Sequence, residues 1–311
     1  MLTSNGGART LRAVSASPDL PVSTSGATAL QVARRCAEEG GRLALERFRK
    51  PQEISVKGRG NLVTATDVDI ERLIQATLAR EYPQHAVLSE ETAELVTRSS
   101  NLEPRASSLE APGWTWVVDP LDGTRNYVSG IPFFCVNVAL CQRGEPVVAV
   151  THDPVHGETF WAEKGGGARL SGGQAPGSDQ PCRVSDKPSL RASVLGFDMG
   201  YNDQRAAHML ALLSELWPGM QSVRIPGSAA LGLAYAACGR YDLFVHHYLF
   251  PWDLAAGILL VREAGGVITD RDGSPIRIES EGVVAGGAAV HADFLRRAGS
   301  RPWRDEGPAP A

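Results

Sequence analysis

Apolar residues at Leu30, Ala33, Ala37, Ala44 and Phe48 fall on one helical face and predict an amphipathic helix over residues 27–49. The pattern returns at Ile70, Leu73, Ile74, Thr77 and Leu78, predicting a helix over 68–81 with Asp67 as its N-cap. His85–Ser89 reads as a strand that delivers Glu90 and Glu91, and Thr115–Val118 as the next strand. Between them, Glu94–Pro112 is an acidic, Ser-rich linker. From Phe133 to Ala162 the period shortens to that of consecutive strands, turned at Arg143-Gly144 and near His156-Gly157. The second half alternates. A strand over 192–197 precedes helix Asp203–Leu216, strand Ser222–Ile225, helix Ser228–Cys238, strand Asp242–His246 and helix Pro251–Glu263. Strands over Val267–Asp270 and Gly282–Gly286 and a helix over 290–298 complete the chain. Such interleaving predicts a layered α/β or α+β architecture.

Composition adds boundaries and exclusions. Residues 1–25, rich in Ser, Gly, Ala and Pro, read as a disordered tail, 26–190 as an N-terminal α+β half and 191–300 as a C-terminal α/β half. Residues 301–311 read as a flexible end, and Ser171–Pro181 as a flexible loop between strands. A 43% hydrophobic content supports a sizeable core. The net charge of −4, with no dense Lys/Arg run, argues against a nucleic-acid partner. No window nears the roughly 18 apolar residues that span a membrane, and the first 25 residues lack the apolar core of a secretory signal. Cys36, Cys135, Cys141, Cys182 and Cys238 are odd in number and scattered, which predicts free thiols in a reducing cytoplasm.

The most informative chemistry lies in Trp116-Val-Val-Asp119-Pro-Leu-Asp122-Gly-Thr124-Arg-Asn126-Tyr127. A strand carries Asp119 to a sheet edge, and Asp-Pro turns the chain so that Asp122 faces the same point. Hard divalent cations such as Mg²⁺ want this kind of oxygen donor and keep water or phosphate as further ligands. The N–H groups of Gly123 and Thr124, opening a short helix, suit a phosphate. The same residues also make an ordinary turn, because Asp caps local N–H groups and Gly accepts positive φ. Glu90-Glu91 reads as a solvated pair or a cation site, Asp253 as a helix-dipole partner or a ligand, and Asp67 as a cap or a catalytic group. Lys57 precedes a Gly-rich turn and reads as solvated or functional.

Taken together, these segments resemble the inositol monophosphatase family of Mg²⁺-dependent, lithium-sensitive phosphomonoesterases. The resemblance rests on Leu62-Val-Thr-Ala-Thr-Asp67, Leu88-Ser-Glu90-Glu91-Thr92, the Asp119–Asp122 motif, Trp252-Asp253-Leu-Ala-Ala-Gly257 and Glu263-Ala-Gly-Gly266, over residues 27–298. It implies the layered α-β-α-β-α sandwich of the sugar-phosphatase type and a homodimer. It also implies hydrolysis of a small phosphorylated metabolite by metal-activated water. Glu90, Asp119 and the Leu121 carbonyl would hold one Mg²⁺, and Asp119, Asp122 and Asp253 a second. Glu91 would lie just outside them or beside a third, weakly held ion. Thr124, oriented by Asp67, would position the water, and Gly123 and Thr124 would hold the phosphate.

The substrate side departs from the family pattern. Inositol-specific members carry a glutamate seven residues before the Trp-Asp aspartate, where this chain has His246. An imidazole does not reproduce a carboxylate's acceptor pair. Ser228, Asp198 and Tyr201 are pocket candidates, each with a capping or packing alternative. The family's other substrates, histidinol phosphate, fructose 1,6-bisphosphate and 3′-phosphoadenosine 5′-phosphate, stay open beside inositol phosphate. So does a non-catalytic descendant that keeps the fold for binding or regulation.

Overall fold

The structure, a computed structural model, describes residues 19–56, 61–93, 113–173, 175–299 and 303. Lys57, the whole 94–112 linker and residues 304–311 lie outside them. Of the tail read over 1–25, residues 19–25 are described and fixed to the fold: the Thr24 N–H donates to Glu81 O at 2.9 Å and Ser23 is buried.

Helix α1 (Ala29–Arg47) starts at a capping box in which Thr28 and Gln31 exchange hydrogen bonds. A short antiparallel ribbon follows, β1 (Ile54–Val56) with β2 (Leu62–Thr64), leading into α2 (Ala65–Glu81). The cap of α2 corrects the sequence reading. Thr64 is the N-cap, and Asp67 sits one turn inside, accepting from the Thr64 N–H at 2.9 Å. Thr-x-x-Asp closes a capping box, so the helix starts earlier than its apolar stripe indicated.

Seven strands form the larger sheet in chain order: β3 (Ala86–Ser89), β4 (Trp114–Asp122), β5 (Cys135–Gln142), β6 (Glu145–Asp153), β7 (Glu158–Glu163), β8 (Ala168–Gly172) and β9 (Ala175–Pro181). The segment Ser171–Pro181, read as a loop, is therefore mostly a strand. Arg169 pairs with Pro181 and Leu170 with Gln180. Its polar residues mislead because β9 is an edge, where exposed side chains and a proline are tolerated.

After the short helix α3 (Thr124–Val128), the smaller sheet is ordered β11-β10-β12-β14-β13. Its strands are β10 (Val194–Phe197), β11 (Ser222–Arg224), β12 (Leu243–His246), β13 (Val267–Thr269) and β14 (Val283–Gly286). Strands β11, β10 and β12 run parallel.

Three apolar clusters define the layers. Trp116, Val118, Val136 and Val138 pack on α1 and α2. Val117, Cys135 and Ala139, on the opposite face, pack on a middle layer made of α5 (Ala229–Ala237) and α6 (Pro251–Glu263), which also meets Phe244 and Ala285 of the smaller sheet. The far face of that sheet, with Leu195, Leu243 and Val245, is covered by α4 (Asp203–Leu216) and α7 (Ala288–Ala298). The order is α-β-α-β-α. All five cysteines are free.

The middle layer depends on glycines. A Cβ on Gly232 would lie 2.2 Å from Phe244 Cε2, and one on Gly257 would lie 2.4 Å from Leu233 Cδ1. Gly232→Ala is therefore expected to destabilise the fold by about 1–3 kcal/mol, measured by denaturant unfolding. A loss below about 0.5 kcal/mol would show that the layer has slack at this point.

Candidate active site and metal centre

The site grows from an irregularity in β4. Asp119 pairs with Asn137 and Asp122 with Cys135, so one extra residue is inserted between the two aspartates. In a regular strand, residues three apart face opposite sides. The bulge at Pro120-Leu121 shifts the alternation by one, and both carboxylates point into the middle layer.

Asp253 reaches the same point from the start of α6. Carboxylate oxygens of Asp119, Asp122 and Asp253 all lie within 4.8 Å of one another. Glu90, at the end of β3, lines the same ≈ 300 Å³ cavity, together with Leu121, Gly123, Thr124, Asp198, Tyr201, Ser228 and His246. This donor set is all oxygen and suits hard divalent cations such as Mg²⁺.

The electrostatics fit the same group. Burial pushes the Asp119 carboxyl well above the usual range, and the charges of Glu90, Asp122 and Asp253 push it further. Burial and Asp122 raise Asp253 to about 8. Asp122 is also raised by burial, against the pull of hydrogen bonds from Ser228 and Ala230. Such a cluster holds its charge only beside a compensating cation.

Each of the three aspartates has one oxygen held by the protein. Asp119 Oδ1 accepts from Leu121 N–H at 3.0 Å, and Asp253 Oδ2 from Phe250 N–H at 2.8 Å. Asp122 Oδ2 accepts from the Ser228 hydroxyl and from Ala230 N–H at 2.9 Å. Asp253 thus caps α6 and also joins the carboxylate cluster. Thr124 Oγ1 lies 3.0 Å from Asp67 Oδ1 and 2.9 Å from Leu121 O. The Leu121 carbonyl keeps a second lone pair for another partner. Asp67 is fully buried, which raises its pKa, and the hydroxyl and N–H of Thr64 together with Thr124 act in the other direction.

The sequence profile of the inositol monophosphatase family matches residues 27–300. The chain belongs to this family. An inositol monophosphatase of Dictyostelium discoideum is 37% identical over 261 residues, 83% of this chain and 90% of its own. A protein named Nus factor SuhB, from Escherichia coli K12, is 36% identical over 264 residues, 84% of this chain and 92% of its own. The crystal structure of the suppressor protein suhB from Bartonella henselae superposes with a TM-score of 0.75 at 32% identity, covering 87% of this chain and 98% of that one.

Within this family member, Glu91 is not among the residues lining the cavity. It is buried, and its N–H donates to Glu71 Oε2 at 2.9 Å. Ser228 lines the cavity, but its hydroxyl is committed to Asp122 and also accepts from Leu231 N–H as the N-cap of α5. His246 is buried, and burial together with neighbouring His247 drives its pKa well below the usual value, so the ring is neutral. Tyr201 lies under the Arg125 guanidinium at 4.5 Å.

Three supporting residues escaped the sequence reading. Buried Glu71 accepts from Ser89, Thr92, Gln75 and the Glu91 N–H, fixing the turn that presents Glu90. The Asn126 amide donates to Phe133 O and Pro226 O, both at 2.8 Å, tying the aspartate loop to the approach to α5. Asn137 donates to Trp252 O at 2.7 Å and so anchors the start of α6. Glu71 did leave a signal: it stands four residues after Asp67, on the face that carries Ile70 and Ile74.

A stability test follows from the raised carboxylates. A carboxyl with a raised folded-state pKa stabilises the fold while protonated, and that contribution is lost as pH rises to the folded pKa. The buried histidines work the other way, but only below their unfolded pKa of about 6.5. With a chelator present, the Tm is expected to fall between about pH 7 and about pH 8, where Asp253 titrates. Added Mg²⁺ should raise the Tm and flatten the slope in calorimetry. A pH-independent Tm in chelator would contradict this account of the cluster.

Proposed function

We propose that this chain hydrolyses a small-molecule phosphate monoester in a Mg²⁺-dependent reaction, releasing inorganic phosphate. The observation that carries this reading is the convergence of Asp119, Asp122 and Asp253 within 4.8 Å, in the cavity that Thr124 also lines. Glu90, Asp119 and the Leu121 carbonyl would hold one ion, and Asp119, Asp122 and Asp253 the other. Bound there, the ions supply an activated water and charge neutralisation at phosphorus.

The chain's own groups do the rest. Thr124, hydrogen-bonded to Asp67, orients the attacking water and relays its proton toward the Asp67 carboxylate. The N–H groups of Gly123 and Thr124 hold the phosphate oxygens. Water adds to phosphorus as the ester P–O bond breaks, and the departing alkoxide takes a proton from solvent.

Relatives bear the names inositol monophosphatase and Nus factor, so family membership alone does not choose between catalysis and binding. The intact set Glu90, Asp119, Asp122, Thr124 and Asp253 supports catalysis. A nucleic-acid partner would require a basic groove, whereas the cavity holds clustered carboxylates. No helix among the described residues is long and apolar enough to cross a membrane. A cytoplasmic homodimer is part of the same proposal, by family likeness.

The test is phosphate release with Mg²⁺ from myo-inositol 1-phosphate, glycerol 1-phosphate, fructose 1,6-bisphosphate and amino-alcohol phosphates. At least one should be turned over, and chelation should abolish the activity. Asp119→Asn is expected to lower kcat by several orders of magnitude. Thr124→Val should cost about 10²- to 10⁴-fold, with Thr124→Ser recovering most of it. No turnover of any substrate, with Mg²⁺ binding demonstrated by calorimetry, would overturn the enzymatic reading.

A further inference from the structure

Two walls face each other across the cavity. One is the Asp119–Asp122 loop with α3, and the other follows the carboxyl ends of β10 and β12. A single cation joins them. Among the described residues that line the cavity, Arg125 is the one Lys or Arg. It follows Thr124 in α3, and its guanidinium lies over the Tyr201 ring, 4.5 Å from the centroid.

Tyr201 belongs to the opposite wall, in the loop between β10 and α4. Gly200 sets its position. The φ of Gly200 is +57°, and a Cβ there would lie 3.2 Å from both His246 Cε1 and Tyr248 Cβ. The loop backbone therefore presses on the residues that end and follow β12, a close approach that favours glycine. Stacking on the ring fixes the plane of the guanidinium and leaves the N–H donors along its edge. A phosphoryl group can accept two of them at once.

Charge decides what this cation serves. Glu90, Asp119, Asp122 and Asp253 carry four negative charges, which two Mg²⁺ ions would balance. Burial raises the Asp198 carboxyl to about 8, so it is mainly neutral at pH 7, and the His246 ring is neutral as well. The loaded cavity is thus left with the charge of Arg125. A phosphate ester dianion consumes that charge in full, and a second anionic group on the substrate would find no countercharge.

Resting on the phosphatase reading above, we propose that Arg125 clamps the phosphoryl group through its non-bridging oxygens, and that Tyr201 is a positioning residue that holds the guanidinium in place. Those oxygens stay negatively charged through the displacement, so the clamp acts on the bound ester and on the transition state. Arg125 exchanges no proton in the step, because a guanidinium stays charged.

The experiment measures binding of inorganic phosphate by calorimetry at pH 7 with Mg²⁺, alongside kcat/KM for an ester that is turned over. Arg125→Gln should weaken phosphate binding by about 10- to 100-fold and lower kcat/KM by a similar factor, its Tm showing that it folds. Arg125→Lys should recover part of the loss, since the charge returns without the planar fork. Tyr201→Ala should weaken phosphate binding several-fold alone but by less than about twofold beside Arg125→Gln, and Tyr201→Phe should recover most of the loss. A change below about twofold in Arg125→Gln would overturn the clamp, as would a wild-type protein that binds no phosphate. An equal loss for Tyr201→Ala in both backgrounds would overturn the role of Tyr201. If phosphate binds but no ester is turned over, the phosphatase reading falls alone, and the Arg125→Gln affinity still decides whether Arg125 holds the phosphate.

Discussion

Mutual repulsion among buried carboxylates is the constraint around which this molecule is arranged. Asp119 and Asp122 come from the end of an interior strand and Asp253 from a helix in another layer, more than a hundred residues away in the chain. Bringing such groups together costs free energy that grows as water is excluded. The fold meets that cost by fixing one oxygen of each with backbone N–H groups and a hydroxyl, while an opposed oxygen set is left for a cation. The β4 bulge, the caps of α5 and α6 and the asparagine ties all serve this one arrangement.

Much of it was legible in the sequence because it rests on local rules. The helices came from apolar period, and the clustered aspartates came from acidic residues at element boundaries. What could not be read required knowing which residues meet across the fold. The bulge is visible only from the pairing of Asp119 with Asn137 and of Asp122 with Cys135. Asn126 and Asn137 look like ordinary polar residues until their carbonyl partners, Pro226 and Trp252, are in place. Ser228 shows the reverse case: the sequence brought it to the cavity, and the structure adds that its hydroxyl donates to Asp122. Errors in element assignment had a local cause. At β9 an exposed edge strand carries loop-like composition, and at α2 the capping box precedes the apolar stripe.

The two walls of the cavity differ in kind. The Asp119–Asp122 loop, α3 and the start of α6 present their groups in a geometry specified by backbone hydrogen bonds. The opposite wall consists of residues that follow strand ends, and a side chain there changes without disturbing the ladder behind it. Asp198 and His246 occupy such positions. This separation lets the opposite wall change while the carboxylate cluster stays fixed, because different elements carry the two.

The small residues of α5 and α6 carry a mechanical consequence. With Ala229, Ala230, Gly232 and Ala234 in one helix and Ala255, Ala256 and Gly257 in the other, the middle layer is thin. It therefore acts as a shim between two sheets, each bearing part of the site. How closely α6 packs on the larger sheet sets how near Asp253, in its first turn, lies to Asp122. Added volume in these helices would widen that distance without altering any of the carboxylates. The geometry of the carboxylate cluster thus depends on small apolar residues in the helices behind it.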